Sequence, residues 1–215
     1  MPTKHLVVQP LPTTEHKLSI NQIAMLMDGL AKNKIDSISW QQYDYLPAVE
    51  FSIAYNEENI FLKYYVNEKT IRAANCTVNS SVWEDSCVEF FISFDNEKAY
   101  YNFEFNCAGT ALVGYGESKT GRQLLPDQLV KQIATCVVIN RDGLNDDIHW
   151  ELTVAIPNSI CCFNNAASLK GKTGRANFYK CGDLLPVPHF VSWNPISWPD
   201  PNFHLQEFFG ILAFV

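Results

Sequence analysis

Apolar residues recur at every second position through much of the chain, which is the pattern of strands with one buried face. Residues 49–55 alternate in this way, residues 56–59 form a polar turn, and residues 60–66 alternate again. If Tyr55 pairs with Ile60, the apolar side chains of both strands fall on one face of a sheet. The segment is therefore predicted to be a β-hairpin.

A second hairpin is predicted over residues 88–105, with its turn at 95–98. Pairing Phe94 with Ala99 aligns the apolar stripes of its two strands on one face. The same register brings Glu89 directly opposite Glu104 on the other face. Two carboxylates facing each other across a strand pair are the sharpest expectation that the spacing provides.

One helix is predicted near the N-terminus. Apolar residues recur at helical spacing from Ile20 to Leu30, and Ser19 with Gln22 fits a capping box at the start of this segment. Residues 1–38 are expected to form an N-terminal extension of a single domain that spans residues 1–215.

The remaining pattern is nearly all β. The C-terminal run 208–215 is apolar throughout and is predicted to be a central strand covered on both faces. Many strands, long loops and a single helix predict an all-β fold, a two-sheet antiparallel β-sandwich of jelly-roll type. Further strands are predicted near residues 110–115, 133–140, 148–156, 175–181 and 208–215.

Composition narrows the class of partner. The net charge of -7 and the pI near 5.2 argue against nucleic acid and against an anionic membrane surface. No apolar run approaches the roughly 18 residues that a membrane-spanning helix requires. We therefore expect neither a nucleic acid nor a membrane as partner.

The chain has seven cysteines, an odd number, so they cannot all form disulfides with one another. They are predicted to be reduced thiols that pack as small hydrophobic residues. The expected location is the cytoplasm if Met1 is the native start, and otherwise the periplasm or the outside of the cell.

Glu89 and Glu104 are the first candidate site residues. Like charges directly opposite each other destabilise a sheet. We expect an arginine, a metal ion, a shared proton or ligand hydroxyls to offset the repulsion, with Arg175 as the favoured partner and Arg122 as the other candidate cation. The alternative is that both carboxylates are solvated on an open face.

The tryptophans divide into two groups. Trp40 and Trp150 lie in or beside alternating strands and are predicted to be core residues. Trp83, Trp193 and Trp198 lie in loops rich in polar residues and proline, where at least one is predicted to be exposed as a rigid aromatic platform. Trp83 is expected at the edge of a cleft. Alternatively, a loop tryptophan closes the end of the sandwich.

The sequence gives weaker evidence for a catalytic or metal-binding site than for the carboxylate pair and the loop tryptophans. His189 and His204 match no zinc signature with the cysteines and acidic residues near them. Two carboxylates could hydrolyse a glycoside if about 5–9.5 Å separated them. Directly opposed strand neighbours have Cβ atoms roughly 4.5–5.5 Å apart, which is tight for that chemistry. The acidic turn at 142–147 could hold calcium but lacks the complete loop pattern, which favours a plain hairpin turn.

Six segments, read in order, resemble carbohydrate-binding module family 9, in particular its bacterial, stand-alone, family 9-like members. The resemblance covers about residues 40–215, and the order and spacing of the segments make it specific. The matching segments are residues 83–91, 100–106, 150–157, 175–179 and 192–195, and residues 203–204 followed by 209–212.

This resemblance implies a β-sandwich that binds carbohydrate without catalysis. It implies a terminal sugar clasped between two tryptophans, with Trp83 as one wall and Trp193, or failing that Trp198, as the other. Carboxylate, amide and arginine side chains would contact the hydroxyls, and calcium is a possible structural ion. The alternatives are a hydrolase that uses Glu89 and Glu104, or a structural or interaction domain that has lost its ligand. The candidate ligand-binding residues are Trp83, Glu89, Asn102, Glu104, Arg175, Asn177, Trp193 and Trp198.

Overall fold

The computed structural model describes residues 3–13, 15, 17–94, 98–141, 147–164 and 168–215. These residues form 14 strands and two α-helices, α1 (Ile20–Asp28) and α2 (Asp127–Val130). The strands are β1 (His5–Pro10), β2 (Asn33–Lys34), β3 (Ser37–Ile38), β4 (Ala48–Tyr55), β5 (Asn59–Glu68), β6 (Cys87–Phe94), β7 (Tyr100–Asn106), β8 (Ala111–Gly116), β9 (Gln123–Leu124), β10 (Ala134–Arg141), β11 (Ile148–Pro157), β12 (Thr173–Cys181), β13 (Phe190–Ser192) and β14 (Gly210–Phe214).

The strands form a β-sandwich, as predicted. One sheet has the order β10-β11-β5-β4, and the other has the order β14-β12-β6-β7-β8-β9. Strand β1 joins them, because its first residues pair with β14 and its last two pair with β4, both in parallel. The sandwich is therefore not wholly antiparallel, and the segment expected to be an extension supplies the joining strand. Strand β1 was not predicted because only one of its residues, Val8, is buried, so its sequence shows no alternation of apolar and polar residues.

The core between the sheets is aromatic. Phe51 of one sheet stacks on Phe178 of the other at 3.8 Å, and Trp193 meets both rings edge-on. Both predicted hairpin registers are confirmed, since Tyr55 pairs with Ile60 and Glu89 pairs with Glu104. Residues 95–97 of the second turn lie outside the described residues. Trp40 and Trp150 are buried, as predicted.

The outer face of strands β6, β7 and β12 is buried as well. Residues 182–209, here called the covering segment, lie over it and bury a second aromatic cluster. Within this cluster Tyr179 of β12 stacks on Phe203 of the covering segment at 4.1 Å. The alternative of two carboxylates solvated on an open face is therefore wrong, since Glu89 and Glu104 are only 3% and 2% exposed.

The C-terminal strand is central, since β14 lies between β1 and β12, as predicted. It is not fully covered on both faces, however. Leu212 and Phe214 point into the core, whereas Ile211 and Ala213 are half-buried. The uninterrupted apolar sequence predicted more burial than the strand has, because burial alternates along β14 and its outer face is only partly covered.

Helix α1 begins at the predicted capping box. The backbone N–H of Gln22 donates to Ser19 Oγ, and the backbone N–H of Ser19 donates to Gln22 Oε1 at 2.9 Å. Ile23 and Met27 pack on the outer face of the β4-β5-β11 sheet. The short helix α2 was not predicted. Neither of these helices is long and apolar enough to cross a membrane.

Candidate functional site

A cavity of about 200 Å³ lies between the covering segment and the outer face of strands β6 and β7. Strand residues form its floor, and loop residues form its walls. Three larger cavities elsewhere on the described surface lack a buried carboxylate, whereas this one holds two. The residues that determine its chemistry are Trp83, Glu89, Glu104, Arg122, Cys181 and His204.

The two carboxylates on the floor have different partners. Glu104 Oε1 accepts hydrogen bonds from Arg122 Nη1 at 3.0 Å and from Asn102 Nδ2 at 2.8 Å. Glu104 Oε2 is buried and has no hydrogen-bond partner among the described residues. Glu89 Oε1 accepts from Cys181 Sγ at 3.1 Å. A carboxylate oxygen that is buried without a partner is a position for a ligand's donor.

Burial raises the pKa of both carboxyl groups. For Glu89 the pKa lies well above its usual range, first because the group is desolvated and then because Glu104 is close. For Glu104 desolvation also raises the pKa, although Arg122 and Asn102 oppose the shift. The floor therefore favours a carboxylate at Glu104, where the cation lies, and a protonated carboxyl group at Glu89.

A cation does offset the carboxylate pair, as predicted, but it is Arg122 and not the favoured Arg175. Arg122 follows β8 and reaches Glu104 by lying over Gly114. A Cβ atom at that glycine would lie 3.2 Å from Arg122 Cδ and 2.5 Å from Asn102 Oδ1. Glycine at this position therefore leaves the space that both partners of Glu104 occupy.

Arg175 lies too far along its strand to reach the carboxylates. Glu89 pairs with Tyr179, four residues further along β12, and this offset corresponds to about 13 Å of strand. The Arg175 guanidinium instead donates to the carbonyl of Gln206 at 2.8 Å. Its observed role is to hold the covering segment against β12.

Three other predicted contacts lie away from the cavity. Asn177 is fully buried and donates to the carbonyl of Asn194 at 2.9 Å, so it too anchors the covering segment. Trp193 is 4% exposed and belongs to the core, so it cannot be the second wall. Trp198 is 49% exposed, which confirms that one loop tryptophan is exposed, but it lines a separate cavity of about 660 Å³. Proline-rich loop composition did not distinguish these environments.

Trp83 lies where the sequence places it, half-buried at the edge of the cavity. It belongs to a short 3₁₀ helix, Val82–Glu84, that Asp85 holds in place. The buried Asp85 carboxylate pairs with Arg72 and accepts from Asn106 Nδ2 at 2.9 Å. Burial opposes its ionisation, but these hydrogen bonds and Arg72 lower its pKa. These contacts anchor the backbone directly after the 3₁₀ helix that carries Trp83.

His204 was not predicted as a site residue. Its Nδ1 lies 2.7 Å from Tyr100 Oη, and its Nε2 lies 3.1 Å from Arg122 Nη1. Because a guanidinium can only donate, Nε2 accepts and Nδ1 carries the proton. Desolvation, with the charges of Arg122 and Lys119, lowers the pKa of His204 to about 3. The imidazole is therefore neutral over the physiological range.

Asp183, Lys119 and Asn202 were missed in the same way, because they lie in irregular loops that no periodic pattern marks. Burial raises the pKa of Asp183 to about 6, with Lys119 opposing and Glu84 reinforcing the shift. Among these missed residues, the sequence pointed only to His204, through the segment at residues 203–204 that resembles the family.

All seven cysteines are free, as predicted, but only Cys87, Cys107, Cys161 and Cys181 are buried like small hydrophobic residues. Across the described ranges, one group of three side chains could hold a metal ion: Cys87, Glu89 and Cys181, whose ligand atoms lie within 4.8 Å of one another. The acidic turn considered for calcium falls at residues 142–146, outside the described residues, and at Asp147.

The sequence model of carbohydrate-binding family 9 matches residues 19–214. The chain is also similar to a candidate carbohydrate-binding protein of Bacteroides uniformis ATCC 8492, with 36% identity, a TM-score of 0.91 and 100% coverage of both chains.

Family 9 modules of Caldicellulosiruptor kristjanssonii share the fold at 11% identity. The structure solved with glucose has a TM-score of 0.65 and covers 99% of this chain and 96% of the module. The structure solved with cellotriose has a TM-score of 0.61 and covers 98% of this chain and 93% of the module. A search of curated proteins found no match. Because the family model spans nearly the whole β-sandwich, this chain belongs to carbohydrate-binding family 9.

Proposed function

We propose that this protein binds carbohydrate without cleaving it, and that the cavity beside Trp83 holds one sugar residue. The observation that carries the proposal is the buried Glu104 carboxylate. Arg122 and Asn102 saturate one of its oxygens, and the other faces no partner among the described residues. A sugar hydroxyl would supply the missing donor in a charge-assisted hydrogen bond.

The walls provide the complementary contacts. The ring of Trp83 is suited to the apolar C–H face of a pyranose. Arg122 has further N–H groups to donate, while the neutral His204 fixes the guanidinium through Nε2. Asn102 touches Glu104 rather than the open space, so its role is to orient the carboxylate.

The size of the cavity limits the ligand. At about 200 Å³ it is smaller than the roughly 300–1,000 Å³ of sites for drug-sized molecules, so it suits a single ring. A longer glycan would present its terminal residue here and leave the rest in solvent. Because family 9 modules of C. kristjanssonii have been solved with glucose and cellotriose, these are the first ligands to test.

The arrangement of the carboxylates favours binding over hydrolysis. Glycoside hydrolysis needs two carboxyl groups that flank the scissile bond. Glu89 and Glu104 instead lie side by side on adjacent strands, both on the floor, with Cβ atoms that directly opposed pairs place about 4.5–5.5 Å apart. Both carboxyl groups therefore approach a sugar from the same side rather than from two sides of a scissile bond.

Isothermal titration with glucose and cellotriose, preceded by a glycan array, tests the proposal. We expect binding that Glu104→Gln and Trp83→Ala weaken and that Trp198→Ala, a matched control at the separate cavity, leaves unchanged. Absence of binding to any glycan would support the interaction-domain alternative. Release of sugar by the wild type, lost in Glu89→Gln while binding persists, would support the hydrolase.

A further inference from the structure

Cys87, Glu89 and Cys181 form a compact, buried group beneath the cavity. Their ligand atoms lie within 4.8 Å of one another, and Cys181 Sγ is 3.1 Å from Glu89 Oε1. We propose that these three side chains bind a thiophilic divalent cation, Zn²⁺, through two thiolates and one carboxylate oxygen, with the fourth coordination position facing the cavity.

The strand register brings the three ligands together. Cys87 and Cys181 are directly opposed in the antiparallel pair of β6 and β12. Glu89 follows two residues after Cys87, so its side chain projects from the same face. Strand β6 is paired on both sides, with β12 and β7, so the backbone positions of the ligands are held by ladders of hydrogen bonds.

The distances suit a tetrahedral zinc ion. Zn–S bonds of about 2.3 Å and Zn–O bonds of about 2.0–2.2 Å place neighbouring ligand atoms roughly 3.4–3.8 Å apart in a tetrahedron. Ligand atoms that already lie within 4.8 Å of one another reach this geometry through small side-chain rotations.

Both thiols are free to bind metal. Cys87 Sγ contacts the carbonyl of Val88, and Cys181 Sγ contacts that of Trp83, each at 3.7 Å, which is the range of weak sulfur hydrogen bonds. If the two thiol protons and the proton of Glu89 leave as Zn²⁺ enters, the net charge of this buried region falls by only one. Binding therefore avoids the cost of burying bare thiolates.

The surroundings favour a cation over an anion. Glu104 and Asp183 add two acidic groups to Glu89 at this cavity, against the cations Arg122 and Lys119. The ion can enter because Glu89 and Cys181 line the cavity, with Cys87 beside them. Two sulfur ligands select zinc over calcium and magnesium, which prefer oxygen. None of these arguments requires that the cavity bind sugar.

Cobalt titration provides a direct test, because Co²⁺ bound to thiolates shows a sulfur-to-metal charge-transfer band. The background protein carries Cys76→Ser, Cys136→Ser and Cys162→Ser, which remove the exposed and half-buried thiols. It is kept reduced with a non-chelating phosphine. We expect one equivalent of Co²⁺ to saturate the band and Zn²⁺ to abolish it, while Ca²⁺ and Mg²⁺ have no effect.

Variants then locate the ion. In the same background, Cys87→Ser and Cys181→Ser should each abolish the band, and Cys161→Ser, which removes an equally buried thiol outside the group, should retain it. Glu89→Gln keeps both sulfurs and should weaken Zn²⁺ binding at least tenfold. Should a serine variant fail to fold, anomalous diffraction at the zinc edge from the wild type places the ion without it. Absence of a saturable band, or an anomalous peak elsewhere, would overturn the proposal.

Discussion

The buried carboxylates of Glu68 and Glu104 differ in how completely their oxygens are paired. Glu68 has a partner at each oxygen: Trp150 Nε1 donates to its Oε1 at 2.7 Å, and Lys180 Nζ forms an ion pair with its Oε2 at 2.9 Å. Glu104 has an equally close cation, Arg122, but its second oxygen is buried without a hydrogen-bond partner among the described residues, in a side chain that lines a cavity. Burial of charge therefore does not mark a binding site by itself; incomplete pairing next to open space does.

Glu68, Lys180 and His189 form a closed cluster in the interior of the sandwich. Lys180 also contacts His189 Nε2 at 2.8 Å, and none of these three side chains reaches solvent. Removing one partner of a buried ion pair leaves the other charge unpaired in a medium of low dielectric constant. Glu104, Arg122 and Asn102 form the open cluster beside the cavity. Its loss should reduce the free energy of unfolding less, because the cavity can admit water when one partner is removed.

The largest expected effect breaks the closed cluster. Lys180→Met should lower the free energy of unfolding by about 3–5 kcal/mol, because Glu68 is left buried without its cation. The double variant Lys180→Met with Glu68→Leu should recover much of this loss. Urea denaturation measures both. Equal destabilisation by the single and double variants would show that packing, not charge, dominates the cluster.

Breaking the open cluster should affect binding more than folding. Arg122→Ala removes the cation beside Glu104 and should weaken sugar binding by about 2–4 kcal/mol, since it unpairs a buried charge that contacts the ligand. Stability should fall by less than in Lys180→Met. Titration calorimetry and urea denaturation on the same sample separate the two effects. Unchanged sugar affinity would place the ligand elsewhere.

Two tryptophans line different cavities, and their substitution shows which cavity binds sugar. Trp83→Ala should weaken binding by about 1–3 kcal/mol and leave folding nearly unchanged, because the ring is half-buried at an edge. Trp198→Ala should alter neither property by more than about 0.5 kcal/mol. If Trp198→Ala weakened binding instead, the separate cavity that Trp198 lines would be the sugar site.

Periodicity predicted the sandwich and both hairpin registers because strand pairing with one buried face constrains a sequence at every second residue. It therefore placed Glu89 opposite Glu104 correctly. It could not predict that the covering segment buries them, since residues 182–209 show no periodic pattern and contain only the three-residue strand β13. For the same reason the choice between Arg122 and Arg175 went wrong: the reach of a loop arginine across Gly114 depends on tertiary geometry.

The smallest expected effect concerns His204, a neutral group within the open cluster. Its folded pKa of about 3 lies below the ordinary 6.5, so the unfolded chain binds its proton first as the pH falls. The stability that neutral His204 provides is complete above pH 6.5 and is lost as the pH falls toward 3. Arg122, Lys119 and the Tyr100 hydroxyl are the charged or titratable groups known to face the ring.

His204→Gln keeps a donor and an acceptor at this position but cannot titrate. Between neutral pH and about pH 4.5, the wild type should lose roughly 1–2 kcal/mol more stability than the variant, a figure reduced from the full linkage value because the ring is half-buried. His189, whose pKa is also lowered to about 3, titrates in both proteins and cancels in the difference. Parallel pH profiles of the unfolding free energy would show that His204 has the same pKa in the folded and the unfolded chain, which would contradict a ring that stays neutral below pH 6.5 as the acceptor for Arg122.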